Sequence, residues 1–183
     1  MRALMIIDVQ NDFLPGGRLA VAGSDTVIPI INQIMPLFDH IIATLDWHPP
    51  GHSSFKIWPE HCVQNTQGAD LAPGLDQSRI EHRIYKGTDS LVDSYSAFFD
   101  NERRRTTELG DLLRQKKLTH LYFVGLATDY CVAHSVLDAI SLGFRATLIQ
   151  NACKAVNRHP HDGTRAILRC QATGAHVITS DTL

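Results

Sequence analysis

Residues 121–132, with the sequence LYFVGLATDYCV, carry the pattern on which the fold prediction depends. The segment Leu121–Val124 is a short apolar, β-rich run, as expected for a strand that is covered on both faces. A helical pattern follows from about Thr128 to Leu142 and stops at Gly143, a residue type common just past a helix end. A buried strand that leads directly into a helix predicts part of a parallel α/β sheet.

The same alternation extends outward along the chain in both directions. Further strands are predicted at Ala3–Val9, His40–Leu45, Ile80–Tyr85, Ala146–Ile149 and His176–Thr179. Further helices are predicted at Ser24–Phe38, Thr106–Lys117 and Asp162–Ala172, with Ser24 and Thr106 as capping residues. Strands that alternate with helices require right-handed crossovers. The pattern therefore predicts an α/β fold, an open, mainly parallel six-stranded sheet with helices on both faces.

Length and composition limit the class of protein. A chain of 183 residues favours a single domain over residues 1–183. Hydrophobic residues make up 44% and charged residues 20%, which excludes a disordered chain. Lys and Arg number 17 against 19 Asp and Glu, a net charge of −2. That balance predicts neither a nucleic-acid partner nor a membrane surface.

The chain shows no targeting pattern. Its apolar start ends at Asp8, too early for a signal peptide, and no run approaches the roughly 18 residues of a membrane span. The four cysteines form no Cys-x-x-Cys pair; they are Cys62, Cys131, Cys153 and Cys170. These features predict reduced thiols in a cytoplasmic protein.

Residues whose side chains can take part in catalysis or metal binding follow four of the predicted strands in succession. They are Asp8, the pair Asp46 and His48, Lys86, and Cys131. Each has an ordinary alternative explanation, since a carboxylate can close a strand, a lysine can be solvated and a cysteine can be a small buried hydrophobe. Ligands of open α/β sheets bind at the carboxyl ends of the strands. The joint placement of these residues therefore predicts a functional site at that edge.

Cys131 is a candidate nucleophile because it lies in the first turn of a predicted helix. Unpaired N–H groups and the helix dipole favour thiolate there, and the Lys86 ammonium would add to the effect. Asp8 could take the thiol proton and return it to a leaving amine. The turn at residues 125–128 could supply N–H donors to an oxyanion.

A second group of residues has the spacing of a metal site. In Asp46-x-His48, residues two apart on an extended segment point to the same side, and His52 and His61 follow. Two or three imidazoles with one carboxylate suit zinc, iron or manganese. The alternative is a histidine-bearing polar loop without a metal.

Several motifs, in order along nearly the whole chain, resemble the nicotinamidases (pyrazinamidases) of the isochorismatase-like cysteine hydrolase superfamily. The matching segments are IDVQNDF at 7–13, PGGRLAV at 15–21, DWHP at 46–49, WPEHCVQNT at 58–66, YKG at 85–87, DSYSAF at 93–98 and GLATDYCV at 125–132. The resemblance implies a Rossmann-like three-layer fold.

The resemblance also implies roles for individual residues. It implies Cys131 as the nucleophile, with Asp8 and Lys86 as the catalytic acid–base and the lysine. It further implies a cis peptide bond before Ala127 that turns the N–H groups of Ala127 and Cys131 toward the oxyanion. It implies a divalent metal ion held by Asp46, His48 and His61, leaves a ligand role for His52 open, and implies a substrate pocket formed by Phe13, Trp58 and Tyr95.

The activity implied by the resemblance is hydrolysis of nicotinamide to nicotinate and ammonia in NAD salvage, with pyrazinamide also accepted. The partner would be this small-molecule substrate, and a homo-oligomer is left open. Three alternatives stay open: another isochorismatase-like hydrolase of a small amide or of isochorismate, a metallohydrolase whose metal-bound water is the nucleophile, and a non-enzymatic metal- or ligand-binding module.

The segment before Trp58 departs from the family pattern. Only five residues, 53–57, separate His52 from Trp58, whereas similar proteins usually carry a longer, variable segment. The departure predicts a stretch of chain missing between Phe55 and Lys56. The alternative is a genuinely short segment that leaves the site more open and less selective.

Overall fold

The computed structural model describes residues 1–183 and contains one six-stranded sheet. The strands are β1 Ala3–Ile7, β2 His40–Asp46, β3 His82–Lys86, β4 His120–Leu126, β5 Arg145–Lys154 and β6 His176–Ile178. Their order is β3-β2-β1-β4-β5-β6, and every neighbouring pair is parallel. The predicted α/β fold with an open parallel sheet is confirmed.

Four α-helices cover the sheet: α1 Val27–Ile34, α2 Leu109–Gln115, α3 Ala133–Ser141 and α4 Asp162–Thr173. The helix predicted over 24–38 is shorter than expected, because 3₁₀ turns at Ser24–Thr26 and Met35–Leu37 flank α1. Pro36 lies in the 3₁₀ turn at Met35–Leu37, and it has no N–H to donate the hydrogen bond that would continue the helix. No helix in the chain has the length and apolar character that a membrane crossing requires.

Both predicted capping residues are wrong. The Ser24 hydroxyl donates to the Phe13 carbonyl at 2.8 Å in the buried interior and caps no helix. At α2 the neighbouring hydroxyl is used: Thr107 Oγ1, not Thr106, accepts from Leu109 N at 3.2 Å. A capping residue must lie beside the first free N–H groups, and α2 begins three residues later than predicted.

The alternating side chains of β1 enter two separate cores. Ala3, Met5 and Ile7 pack in the cluster that contains side chains of α2, α3 and α4. Leu4 and Ile6 pack in the other, together with α1. Burial on both faces explains why β1 is continuously apolar.

β1 and β4 are the two central strands. The connection after β1 runs toward one half of the sheet, and the connection after β4 runs toward the other half. Gly125 lies close to β1, so that a Cβ at this position would come within 2.1 Å of the Ile7 carbonyl oxygen. The Leu126–Ala127 peptide bond is cis, as the resemblance implied. A π-helical turn, Thr128–Val132, then leads into α3. This switch point is where ligands bind in open α/β sheets.

The segment between His52 and Trp58 is continuous and short. It forms a 3₁₀ turn at Ser53–Lys56, in which the N–H groups of Ile57 and Trp58 both donate to the Ser54 carbonyl at 2.9 Å. These bonds close the turn across the Phe55–Lys56 peptide. That a stretch of chain is missing at this point stays a prediction.

Candidate active site

Asp8, Lys86 and Cys131, here called the thiol cluster, meet at the carboxyl ends of three strands. Asp8 follows β1, Lys86 ends β3 and Cys131 lies in the π-helical turn after β4. Lys86 Nζ is 3.4 Å from Cys131 Sγ and 2.9 Å from Asp8 Oδ2. The same ammonium donates to the Ser94 carbonyl at 2.9 Å and contacts Asp46 Oδ1. The sheet therefore brings together the three residues that sequence analysis selected.

Asp8 is held so that one carboxylate oxygen stays available. Its Oδ1 accepts a hydrogen bond from the Thr44 hydroxyl, and its N–H lies 3.2 Å from the same Thr44 Oγ1. Oδ2 faces the ammonium of Lys86 as an ion pair, but no donor is aligned on it as a hydrogen bond. Oδ2 can therefore accept a proton from a neighbouring group.

Burial controls the charges of the thiol cluster. It raises the pKa of the Cys131 thiol well above its usual range; the nearby Lys86 ammonium acts in the opposite direction but does not offset it. Burial also raises the pKa of Asp8. Burial opposes charge on Lys86 as well, but the carboxylates of Asp46 and Asp8 outweigh it and hold the Lys86 pKa well above its usual range. The expected thiolate is therefore disfavoured, because desolvation outweighs Lys86.

Asp46, His48 and His61, here called the imidazole cluster, lie beside the thiol cluster. Asp46 Oδ2 is 3.6 Å from His48 Nε2 and 3.9 Å from His61 Nε2. The two Nδ1 atoms bond backbone carbonyls, His48 to Gly87 at 2.9 Å and His61 to Pro59 at 2.7 Å. These bonds turn both Nε2 atoms toward the Asp46 carboxylate.

The donor set fits a divalent cation. All three side chains are buried, and their ligand atoms lie within 4.8 Å of one another. His48 Nε2 has no hydrogen-bond partner in the chain, although it is fully buried. Burial lowers the pKa of His61, which favours the neutral imidazole that a metal requires. Histidines that bond a carbonyl through the other ring nitrogen are typical of metal ligands.

His52 lies next to this cluster. Its ring stacks on His48 with centroids 4.1 Å apart, and its Nδ1 is 2.7 Å from Ser54 Oγ. Its buried Nε2 also has no partner. The atoms of His52 group with those of His48 and Asp93 rather than with Asp46 and His61. Asp93 is a residue that sequence analysis did not select.

Gln10 is a second residue that sequence analysis missed. Its side chain is fully buried and brackets Asp46, because Nε2 donates to the Asp46 carbonyl at 2.8 Å and Oε1 accepts from the Asp46 N–H at 2.8 Å. Nε2 also donates to the Ala69 carbonyl at 2.8 Å. The amide thus fixes the backbone of one residue of the imidazole cluster. Its position in the motif at 7–13 was the only signal in the sequence.

Gly87 leaves room for a histidine ring. Its φ is +64°, and a Cβ at this position would lie 2.5 Å from His48 Cε1. Its carbonyl accepts the His48 bond described above. A glycine directly after Lys86 therefore lets the backbone approach one residue of the imidazole cluster.

Cys131 of the thiol cluster and Asp46 and His61 of the imidazole cluster line one apolar pocket. The three aromatic residues expected in the pocket line it, namely Phe13, Trp58 and Tyr95. Trp58 Nε1 donates to the Tyr95 hydroxyl at 3.2 Å. Sequence analysis did not select the remaining apolar lining, which consists of Leu19, Val21, Tyr130 and Val156.

The turn that carries Cys131 also lines this pocket. Ala127 lies on its wall, and the Ala127 N–H donates to no other group of the chain. Asp129 holds the loop after β5 against the pocket, because its carboxylate accepts from Val156 N at 2.9 Å and Asn157 N at 2.8 Å. Cys131, Asp46 and His61 therefore face one aromatic-lined space, and Lys86 contacts both Cys131 and Asp46 behind it.

The parallel sheet with this pocket at its switch point makes the protein an α/β protein with a ligand site at the carboxyl ends of its strands. The chain belongs to the isochorismatase family, since the family model described as Isochorismatase domain matches residues 2–182.

Among proteins similar in sequence is the nicotinamidase of Escherichia coli (strain K12). It is 42% identical over 201 aligned positions, which cover 97% of this chain and 94% of that protein. The aligned span exceeds the 183 residues of this chain, so the relative carries residues that this chain lacks.

Two solved structures share the fold closely. PnC1 from L. infantum, solved in complex with nicotinate, has a TM-score of 0.95 and 35% identity, covering 100% of this chain and 94% of that one. The pyrazinamidase of Pyrococcus horikoshii, solved in complex with zinc, has a TM-score of 0.86 and 36% identity, covering 97% and 98%.

Proposed function

We propose that this protein hydrolyses nicotinamide to nicotinate and ammonia through a thioester on Cys131, in cytoplasmic NAD salvage, and that it also accepts pyrazinamide. The observation that carries the proposal is the position of Cys131 Sγ, 3.4 Å from Lys86 Nζ on the wall of an aromatic-lined pocket. The names of the similar proteins, a nicotinamidase and a pyrazinamidase, support the same activity.

The first step forms the bond between Sγ and the amide carbon. The thiol proton passes to Asp8 Oδ2, which has no hydrogen-bond donor aligned on it. Because burial raises the pKa of both Cys131 and Asp8, the thiol keeps its proton until attack, and the carboxyl can then hold it. The electron pair of the carbonyl bond moves to oxygen, near the N–H groups of Ala127 and Cys131.

The next steps release the two products. The C–N bond breaks as Asp8 returns its proton to the amide nitrogen, and ammonia leaves. Asp8 then takes a proton from water while the water oxygen attacks the thioester carbon. The C–S bond breaks, Sγ recovers the proton and the carboxylic acid departs. One water is consumed for each amide cleaved.

Lys86 holds the side chains of the thiol cluster in place and supplies their positive charge. Its Nζ contacts Asp8, Asp46 and Cys131 together and is fully buried. The ammonium therefore stabilises negative charge on Sγ during attack and departure. It also lies between two carboxylates that would otherwise face each other in a desolvated site, and it offsets the repulsion between them.

We assign Asp46, His48 and His61 as the ligands of one divalent ion, with His52 beside them. Zinc, iron and manganese all suit this donor set, and the zinc complex of the Pyrococcus horikoshii protein supports zinc. When bound, such an ion supplies a Lewis-acidic centre that orients the ring nitrogen of the substrate. Phe13, Trp58 and Tyr95 hold the ring by apolar contact.

The competing mechanism makes a metal-bound water the nucleophile and leaves Cys131 inert. Ammonia release from nicotinamide by Cys131→Ala, with metal content measured on the same sample, separates the two. We expect activity to fall on the order of 10⁴-fold or more while the metal is retained. Cys153→Ala is the matched control, because that thiol is buried outside the pocket. Near-normal turnover by metal-loaded Cys131→Ala would establish the competing mechanism.

A further inference from the structure

Phe55, in the short 3₁₀ turn at 53–56, contacts all three histidines of this region. Its ring centroid is 5.7 Å from that of His48, 5.8 Å from that of His52 and 5.7 Å from that of His61. The interplanar angles are 86°, 66° and 68°, so the contacts are edge-on. One apolar side chain therefore packs against the imidazoles of His48, His52 and His61, the three candidate metal ligands.

The turn that carries Phe55 is tied to one of these histidines. Ser54 N donates to His52 Nδ1 at 3.2 Å, and Phe55 N donates to the His52 carbonyl at 3.1 Å. Because the turn is so short, these bonds fix the backbone from which the Phe55 ring contacts the histidines.

Phe55 lies away from the substrate pocket. It is absent from the pocket lining, whereas Phe13 lines that pocket and contacts His61 with centroids 5.6 Å apart. His61 thus has one phenyl ring on its pocket side and a second, Phe55, elsewhere. His48, His52 and His61 are at most 3% exposed, while Phe55 itself is half-buried.

We propose that Phe55 is the apolar cover of the metal site on the side away from the substrate pocket and slows the loss of the ion. An apolar shell around a metal site limits the access of water and competing ligands to the ion. The partly exposed ring packs on all three imidazoles, which are at most 3% exposed, and shields them from solvent on the side away from the pocket. The inference rests on the metal site proposed above, and it assigns Phe55 to metal retention rather than to substrate contact.

The test measures the release of zinc from zinc-loaded protein to an excess of a chromogenic chelator. We expect Phe55→Ala to release zinc about 10-fold to 100-fold faster than the wild type. Phe55→Leu and Phe55→Val should fall between them, in order of apolar volume, which keeps the test decisive if the alanine variant does not fold. At saturating zinc, KM for nicotinamide should match the wild-type value in every variant.

Ile57→Ala is the matched control. Ile57 follows the same turn, is 63% exposed and has no place among the histidines, so its removal should leave the release rate unchanged. The proposal that Phe55 covers the metal site would be overturned by equal zinc-release rates for wild type and Phe55→Ala. Equal acceleration of zinc release by Ile57→Ala would also overturn it. A wild-type protein that binds no zinc would overturn both the metal site and its cover. Slow zinc release by a wild type that does not hydrolyse nicotinamide would overturn the activity alone.

Discussion

The thiol cluster and the imidazole cluster are neighbours that the chain builds in different ways. Asp8, Lys86 and Cys131 lie at or just after strand ends, so the register of the parallel sheet positions them. His48 and His61 lie on the irregular segment after β2, where bonds from Nδ1 to backbone carbonyls position the rings. Strand pairing sets the first cluster, and local loop contacts set the second.

The two clusters meet where the registers of β2 and β3 coincide. Asp46 pairs directly with Lys86 in the sheet, and their side chains are in contact. Because strand pairing positions one cluster and loop contacts position the other, each cluster can be altered alone if Asp46 and Lys86 are left intact. Substitutions on either side therefore test whether the two clusters have separate roles.

Among the substitutions that separate the two clusters, the largest effect is expected from Asp8→Asn, which disables proton transfer in the thiol cluster only. Asparagine keeps the shape of the side chain and tolerates the φ of 47° at this position. We expect kcat for nicotinamide to fall by about 10²-fold to 10⁴-fold, as for loss of a general acid–base. Metal content, measured by elemental analysis, should stay at the wild-type level. Turnover within tenfold of wild type would contradict the role of Asp8.

A smaller effect is expected from Gly87→Ala, which alters the imidazole cluster only. The added methyl would lie 2.5 Å from His48 Cε1 and displace that ring. We expect zinc affinity, measured by chelator competition, to fall by about 10-fold to 100-fold. Gly143→Ala is the control, because its φ of +88° carries a similar backbone penalty but nothing lies within 4 Å of the added atom. Equal loss of zinc affinity in both variants would show that displacement of His48 is not its cause.

The smallest effect concerns the protonation of Cys131. Because burial places its pKa well above the usual range, the thiol is protonated through neutral pH. The rate of alkylation at Cys131 by iodoacetamide should therefore rise about tenfold per pH unit from pH 7 to 9, following the thiolate fraction. Peptide mapping separates this signal from Cys153, whose pKa burial raises to about 12. A rate that levels off below pH 8 would instead support the thiolate expected from the sequence.

The sequence was sufficient to predict the residues that strand ends position. Asp8, Lys86 and Cys131 each follow an apolar run, so their convergence follows from the sheet itself. Burial disfavours the thiolate expected from the sequence, because Cys131 is 7% exposed and desolvation opposes its charge.

Gln10 and Asp93 could not be selected in the same way. The Gln10 amide bonds backbone groups of Asp46 and Ala69, and no local pattern announces such distant partners. The segment before Trp58 is a separate case. It closes as a complete turn on the bonds that Ser54 accepts, and a missing stretch between Phe55 and Lys56 stays a prediction.

The position of β3 at the edge of the sheet sets how heat first damages the site. This strand pairs only with β2, yet it carries the single ammonium shared by both clusters. Edge strands open locally at a lower free energy than the centre of a sheet. Opening of five residues would leave Asp8 and Asp46 facing each other without a counter-ion. We therefore expect heat to abolish activity through the fraying of this short strand, at temperatures where the central strands are still folded.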